Sequence, residues 1–183
     1  VKNQKNDLRN LYKSIRSRIS LERRKAASEA CAKKILSLLS HSENILSFAS
    51  KDVEIDMWPL NKILLGQNRL FLPKIEHDRI NIYKISSLEN LKLSSFSILE
   101  PDPKIHSQAK IFDVDAILIP GLCFDRNNHR LGYGKGHYDM LLCDAQKKNP
   151  KLKLLGVGFI EQISNDSLPF EEHDVQLDQI LVF

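Results

Sequence analysis

One stretch, Asp115 to Asp139, constrains this chain more than any other. It reads Asp-Ala-Ile-Leu-Ile-Pro-Gly-Leu-Cys-Phe-Asp, then Arg-Asn-Asn-His, then Arg-Leu-Gly-Tyr-Gly-Lys-Gly-His-Tyr-Asp. A short apolar run, Ala116 to Ile119, leads in as a buried strand would. Tyr138, Leu141, Leu142 and Ala145 lead out at i, i+3, i+4 and i+7, the apolar face of a helix. Between them Gly132, Gly134 and Gly136, three of the seven glycines, alternate with Tyr133, Lys135 and His137. The expected order is therefore strand, tight loop, glycine-rich turn and helix. Such an order turns free backbone N–H groups and a helix N-terminus towards an anion.

The spacing is not that of two common phosphate loops. A dinucleotide fingerprint needs G-x-G-x-x-G, and the third glycine here comes one residue early. A Walker A loop needs Ser or Thr after its lysine, and Lys135 is followed by Gly136. A sharp turn needs positive φ at only one or two positions. Three alternating glycines between Arg130 and the helix exceed that need, so a different kind of anion site is expected.

A chain of 183 residues can bury a sizeable core, and a single domain over residues 1–183 is expected. Strands alternate with helices through the C-terminal two-thirds, which argues for an α/β sandwich on a mostly parallel sheet. No run of about 18 apolar residues occurs, so no membrane helix is expected. The opening Val1-Lys2-Asn3-Gln4 lacks both an initiator Met and the apolar core of a signal peptide. Cys31, Cys123 and Cys143 are odd in number and form no C-x-x-C pair, which fits a reducing cytoplasm better than a disulfide framework or zinc ribbon. Cys123, Cys143 and His129 are spaced poorly for a metal and read as core and loop residues.

The net charge of +4 is unevenly placed: eleven Lys and Arg fall within the first forty residues, against Asp7, Glu22 and Glu29. That region suits a polyanion, a small anionic substrate such as a nucleoside triphosphate, or simply solvated helix faces. Leu8, Leu11, Tyr12, Ile15 and Ile19 outline a first amphipathic helix. Ser20 is the expected N-cap of a second, striped by Ala27, Cys31, Ile35, Leu38 and Leu39. The two are expected to pack as a hairpin on the flank of the sheet.

Residues 44–49 read as a first strand, and Asp56 as the cap of a helix with Pro59 in its first turn and Gly66 at its end. Glu54 then falls at the carboxyl end of a strand, where ligands gather in open α/β sheets. Residues 69–72 read as a strand ended by Pro73, and residues 80–85 as a less buried one. Residues 91–103 read as loop. Lys151 to Phe159 and Ile180 to Phe183 are the last two expected strands.

The run Pro120-Gly121-Leu122-Cys123-Phe124-Asp125 followed by Arg130 to Asp139 resembles the signature of the 5-formyltetrahydrofolate cyclo-ligase (methenyltetrahydrofolate synthetase) family. The resemblance is strong at residues 115–139, moderate at 154–183 and weak between 70 and 112. It implies a three-layer α/β/α sandwich like those of ribose-5-phosphate isomerase and CoA-transferase domains, preceded by a helical hairpin. It also implies ATP-dependent closure of 5-formyltetrahydrofolate to 5,10-methenyltetrahydrofolate with release of ADP and phosphate. The nucleotide would meet Lys5 and Arg9, which match the family's Lys-x-x-Leu-Arg, and the loop Arg130, Leu131, Gly132, Tyr133, Gly134, Lys135, Gly136, His137 and Tyr138. Lys135 and Arg130 would be the catalytic cations, Lys135 nearest the transferred group. Ala49, Glu54, Phe96, Tyr133 and His137 would meet the folate, and Asp139 and Asp174 would hold Mg²⁺.

Two departures are visible. The family often has Trp where Phe96 stands, and Tyr or Phe where His137 stands. Phe96 keeps a flat face for a pteridine but loses the indole donor, while His137 adds a group that titrates near neutral pH. The expected partners are ATP and 5-formyltetrahydrofolate, with or without a polyglutamate tail. No nucleic acid or membrane is expected, and the chain is expected to be a cytoplasmic monomer. Two other readings remain at this level. An RNA-binding module would use the basic N-terminal region, although aromatic-interleaved motifs are lacking. A phosphosugar isomerase or CoA-transferase relative would need neither ATP nor Mg²⁺.

Overall fold

The computed structural model describes residues 2–95, 97–171 and 174–183. Two helices come first, α1 (Lys2–Ser17) and α2 (Leu21–Leu38). Then follow β1 (Ile45–Leu46), α3 (Trp58–Gly66), β2 (Leu70–Glu76) and β3 (Arg79–Lys84). Three short strands come next, β4 (Lys92–Leu93), β5 (Leu99–Glu100) and β6 (Ser107–Ala109). β7 (Ala116–Pro120) leads to a small hairpin of β8 (Cys123–Phe124) and β9 (Arg130–Leu131). The chain closes with α4 (His137–Lys148), β10 (Lys153–Gly158) and β11 (Gln179–Val182).

Among the described residues the main sheet has seven strands in the order β11-β10-β7-β1-β2-β3-β6. The first five are parallel, and β3 and β6 add antiparallel at one edge. β7 pairs along its edges with β1 and β10, while α2 and α3 cover one of its faces and α4 the other. That is why Ala116 to Ile119 are apolar without alternation and wholly buried. The period of two still sorts them. Ala116 and Leu118 join the core under α2 and α3, whereas Ile117 and Ile119 join the core under α4. Ile117, Leu118 and Ile119 each contribute roughly 1.5–3 kcal/mol on burial. The result is three layers, as the sequence leads one to expect.

Several details differ from the sequence reading. The N-terminal helices do not lie together on the sheet. α2 does, through Ala27, Cys31 and Ile35, and Ser20 caps it by accepting the Arg23 N–H. α1 instead lays Tyr12, with Leu8 and Ile15, against Leu122, Cys123, Leu131 and Leu168, so it rests on the β8–β9 hairpin. Asp56 is one residue short of the α3 N-cap, which is Met57, though its carboxylate still accepts the Trp58 N–H. The stretch read as loop at 91–103 contains the β4–β5 pair.

Pro73 does not end β2, which continues to Glu76 opposite β3. Phe71 turns its carbonyl towards the β1 side, where Ser47 donates to it, whereas Leu70 accepts from Ile85 on the β3 side. Pro73, two residues after Phe71, also faces the β1 side, and β1 has already ended at Leu46. The missing N–H therefore forfeits no ladder bond. Among the described residues, no helix is long and apolar enough to cross a membrane.

Candidate active site

From β1 the chain runs to β2 on one side, while β7 lies on the other. The carboxyl ends of β1 and β7 thus flank a topological switch point, the usual ligand crevice of open parallel sheets. The loop after β1 brings Phe48, Ala49 and Glu54 to it, and the connection after β7 brings the glycine loop. Gly134 and Gly136 have φ of +93° and +71°, conformations that side-chain-bearing residues seldom adopt. A Cβ on Gly134 would also come within 3.1 Å of the Arg9 guanidinium carbon. Gly136 is the N-cap position of α4 and makes no side-chain cap bond. The first turn of that helix thus has backbone N–H groups without a cap side chain.

The loop separates two cavities. The first, about 420 Å³, has an apolar floor that includes Phe48, Ala49, Pro73, Ile75, Ile80 and Pro120. Around it stand Arg16, Glu54, Glu100, Arg130, Lys135 and His137, with Tyr133, Tyr138 and Asp139. Both Glu54 oxygens are engaged: Oε2 accepts the Lys51 N–H at 2.9 Å, and Oε1 accepts the Tyr133 hydroxyl at 2.6 Å. Tyr133 is 46% exposed overall, yet its hydroxyl also receives a hydrogen bond from Arg16 at 2.5 Å. Burial and the Glu54 charge push the Tyr133 phenol well above its ordinary range, against the opposing pull of Arg16. Burial and Glu54 do the same to Tyr138, with Arg130 opposing. Burial raises the Glu100 carboxyl, although Lys74, 3.6 Å away, offsets part of the rise.

The second cavity, about 620 Å³, lies on the other side of the loop. One face of α1 supplies Lys2, Lys5, Asn6, Arg9 and Lys13, and Glu171 and Asp174 come from the segment before β11. Tyr133, Gly134, Gly136, Asp139 and Lys13 line both cavities. Lys5 sits 2.7 Å from both Glu171 and Asp174. Burial alone would lower its ammonium pKa, but the hydrogen bonds to the two carboxylates outweigh that and raise it. Arg9 donates to the Gly132 carbonyl at 3.0 Å, which ties α1 to the loop.

The residues expected around an anion are thus largely brought together, with some differences. Asp139 and Asp174 face the same cavity although 35 positions separate them in sequence. Arg130 is already engaged by protein groups. Its guanidinium donates to Asp139 at 2.5 Å and to the Pro120 carbonyl at 3.2 Å, and stacks 5.6 Å from the Tyr138 ring centroid. Leu131, expected in the nucleotide loop, turns into the core as the β9 residue under α1, because its alternation with Arg130 sends it inwards. Phe96 lies outside the described residues. Arg16 and Lys13 were missed. Both belong to the basic N-terminal run, and only their spacing from Lys5 and Arg9 along one helix face could have singled them out.

Two other acidic residues, Asp125 and Asp178, are occupied structurally. Asp125 is 2% exposed and accepts the N–H groups of Asn127, His129 and Leu168 and the His129 ring. Asp178 accepts the Leu154 N–H at 2.7 Å. Among the described residues, no cluster of three or more His, Cys, Asp or Glu could hold a metal by itself.

Fold and site together define an α/β protein with a two-cavity crevice at the switch point of a parallel sheet. One glycine loop places a cation-rich cavity against an apolar one that displays a fixed carboxylate. The chain belongs to the 5-formyltetrahydrofolate cyclo-ligase family, whose family model matches residues 1–183. The mouse 5-formyltetrahydrofolate cyclo-ligase is 28% identical over 193 residues, covering 99% of this chain and 94% of the mouse protein. The solution structure of Aquifex aeolicus 5,10-methenyltetrahydrofolate synthetase is 31% identical and superposes with a TM-score of 0.85 over 97% of this chain and 89% of that one. A 5,10-methenyltetrahydrofolate synthetase from Mycoplasma pneumoniae, at 21% identity, shares the fold with a TM-score of 0.76 over 96% of each chain. The family is one of ATP-dependent ligases acting on 5-formyltetrahydrofolate.

Proposed function

We propose that residues 1–183 work as one unit that closes 5-formyltetrahydrofolate to 5,10-methenyltetrahydrofolate at the expense of ATP. The observation that carries this reading is the shared wall. The same loop residues line a cation-rich cavity and an apolar one, so a polyphosphate and a flat heterocycle can meet across it.

The chemical obstacle is a formamide, whose oxygen is a poor leaving group. The formyl oxygen attacks the γ-phosphorus and the bond to ADP breaks. N10 then attacks the formyl carbon and loses its proton, and the C–O bond breaks to release phosphate. The protein supplies position and charge for phosphoryl transfer. In this reading Lys5, Arg9 and the backbone of residues 132–138 hold the phosphates, and Lys135 faces the group in flight. Glu54 accepts the pterin N–H edge above the apolar floor, with Ala49, Tyr133 and His137 around it. Arg130 holds Asp139 in place.

Asp139 and Asp174 suit Mg²⁺, which takes one or two carboxylates and completes its shell with phosphate oxygens and water. When bound, the ion would neutralise charge on the nucleotide. The same reading has the chain act as a cytoplasmic monomer on a folate with or without a polyglutamate tail, without nucleic acid or membrane. Unpaired, buried Cys31 and Cys123, whose thiols burial pushes up to about 12, suit a reducing compartment.

The test is the absorbance of the methenyl product formed from 5-formyltetrahydrofolate. Turnover is expected only with ATP, Mg²⁺ and the folate together, and product at full rate without nucleotide overturns the proposal.

A further inference from the structure

We propose that Arg16 is a positioning residue for the folate side of the site, acting through Tyr133 on Glu54. The inference rests on the cyclo-ligase reading above. Arg16 lies in the last turn of α1, outside the glycine loop, with a side chain only 5% exposed. Its Nη2 donates to the Tyr133 hydroxyl at 2.5 Å. A phenol has one proton, and here it is given to Glu54 Oε1 at 2.6 Å. The direction of the chain is therefore forced: Arg16 donates to Tyr133, and Tyr133 donates to Glu54. Nη1 adds a longer ionic contact of 3.8 Å to the same Glu54 oxygen, and the guanidinium stands 5.5 Å from the Tyr133 ring centroid.

Such a chain polarises each member in turn. It fixes one oxygen of Glu54 while the Lys51 N–H fixes the other. It also places a positive charge 3.8 Å from a carboxylate whose side chain is only 9% exposed. With both oxygens held in place, that carboxylate presents fixed acceptors to a ring edge rich in N–H donors. Arg16 Nε is buried without a hydrogen-bond partner. The two Nη atoms of the guanidinium are aimed at the tyrosine and the carboxylate.

The experiment begins with the unaltered protein. Absence of ATP-dependent methenyl formation there would overturn the underlying reading, separately from this one. In an active enzyme, Arg16→Met is expected to raise KM for 5-formyltetrahydrofolate about tenfold or more while KM for ATP stays within about twofold. Arg16→Lys, which lacks the planar fork, should recover only part of the loss. The decisive readout is the cycle with Tyr133→Phe. Once the hydroxyl is gone, Arg16→Met should add little. Additive effects, an equal loss of ATP and folate affinity, or an unchanged folate KM would each overturn the role. If Arg16→Met unfolds the chain, Arg16→Lys takes its place in the cycle: an unchanged folate KM for Arg16→Lys, or a loss that persists in full when added to Tyr133→Phe, sinks the proposal.

Discussion

Lys135 and Arg130 belong to the same loop, carry the same charge and hold it differently. The Arg130 side chain is 6% exposed, and its guanidinium pairs with Asp139 and a main-chain carbonyl. Its fork suits that task, because a planar cation can brace two groups at once. Lys135 is exposed on the lip of the apolar cavity, a compact charge suited to following a group that moves. Lys135→Ala should therefore lower kcat far more than it weakens folate binding. The expected loss is about 2.7–4 kcal/mol, or roughly 10²–10³ in rate, if the lysine resembles a deleted oxyanion donor. Single-turnover rates beside equilibrium titration with a folate analogue separate the two quantities, and an unchanged kcat removes Lys135 from the transfer step.

At the scale of elements, the β8–β9 hairpin depends on one buried carboxylate. Asp125 gathers three N–H groups and the His129 ring across the turn and from Leu168. That hairpin carries Arg130 on one side and the α1 contact on the other. Asp125→Ala should destabilise the fold by roughly 3 kcal/mol or more, since buried donors are left unpaired. Burial by itself would raise the Asp125 carboxyl, but the donors outweigh it and hold the group below its ordinary value of 3.8. A depressed native pKa means that this stabilisation is complete above the unfolded value and is lost as pH falls through the native one. Urea midpoints measured between about pH 2 and 7 should therefore fall less steeply below about pH 4 in the alanine variant than in the parent. Parallel curves would show that the acid loss arises elsewhere.

Over the whole molecule, α1 straps the site together. One face of it reaches the cation-rich cavity through Lys5 and Arg9 and the apolar cavity through Arg16. Lys5 also pins the segment before β11, because its ammonium bridges Glu171 and Asp174. The metal prediction belongs at this scale, since Asp139 and Asp174 face one cavity only once α4 and that segment have docked. Asp139→Asn and Asp174→Asn should each raise the Mg²⁺ concentration for half-maximal activity by about tenfold or more, with folate KM nearly unchanged. Magnesium titrations of the two variants that overlay the parent would exclude both as ligands.

What could be read from the sequence was whatever local rules control. The helix cap at Ser20, the stripe of α2, the buried strand at 116–119 and the glycine turn all depend on neighbours a few positions apart. The long motif also sufficed to identify the family and the loop shared by the two cavity walls. The strand end at Pro73 misled because a missing N–H matters only where a neighbouring strand would have used it, and β1 stops just before. The β4–β5 pair, at two residues a side, is too short to show a period. The pairing of Arg130 with Asp139 was not legible, because Asp139 lies nine positions on, across the loop. Arg16 was one cation among eleven, and nothing local ties it to Glu54 or Tyr133. Those three residues meet only because α1 leaves the sheet to lie on the β8–β9 hairpin. That choice rests on apolar faces distant in sequence, Tyr12 against Cys123 and Leu168, and only tertiary packing decides which of them pair.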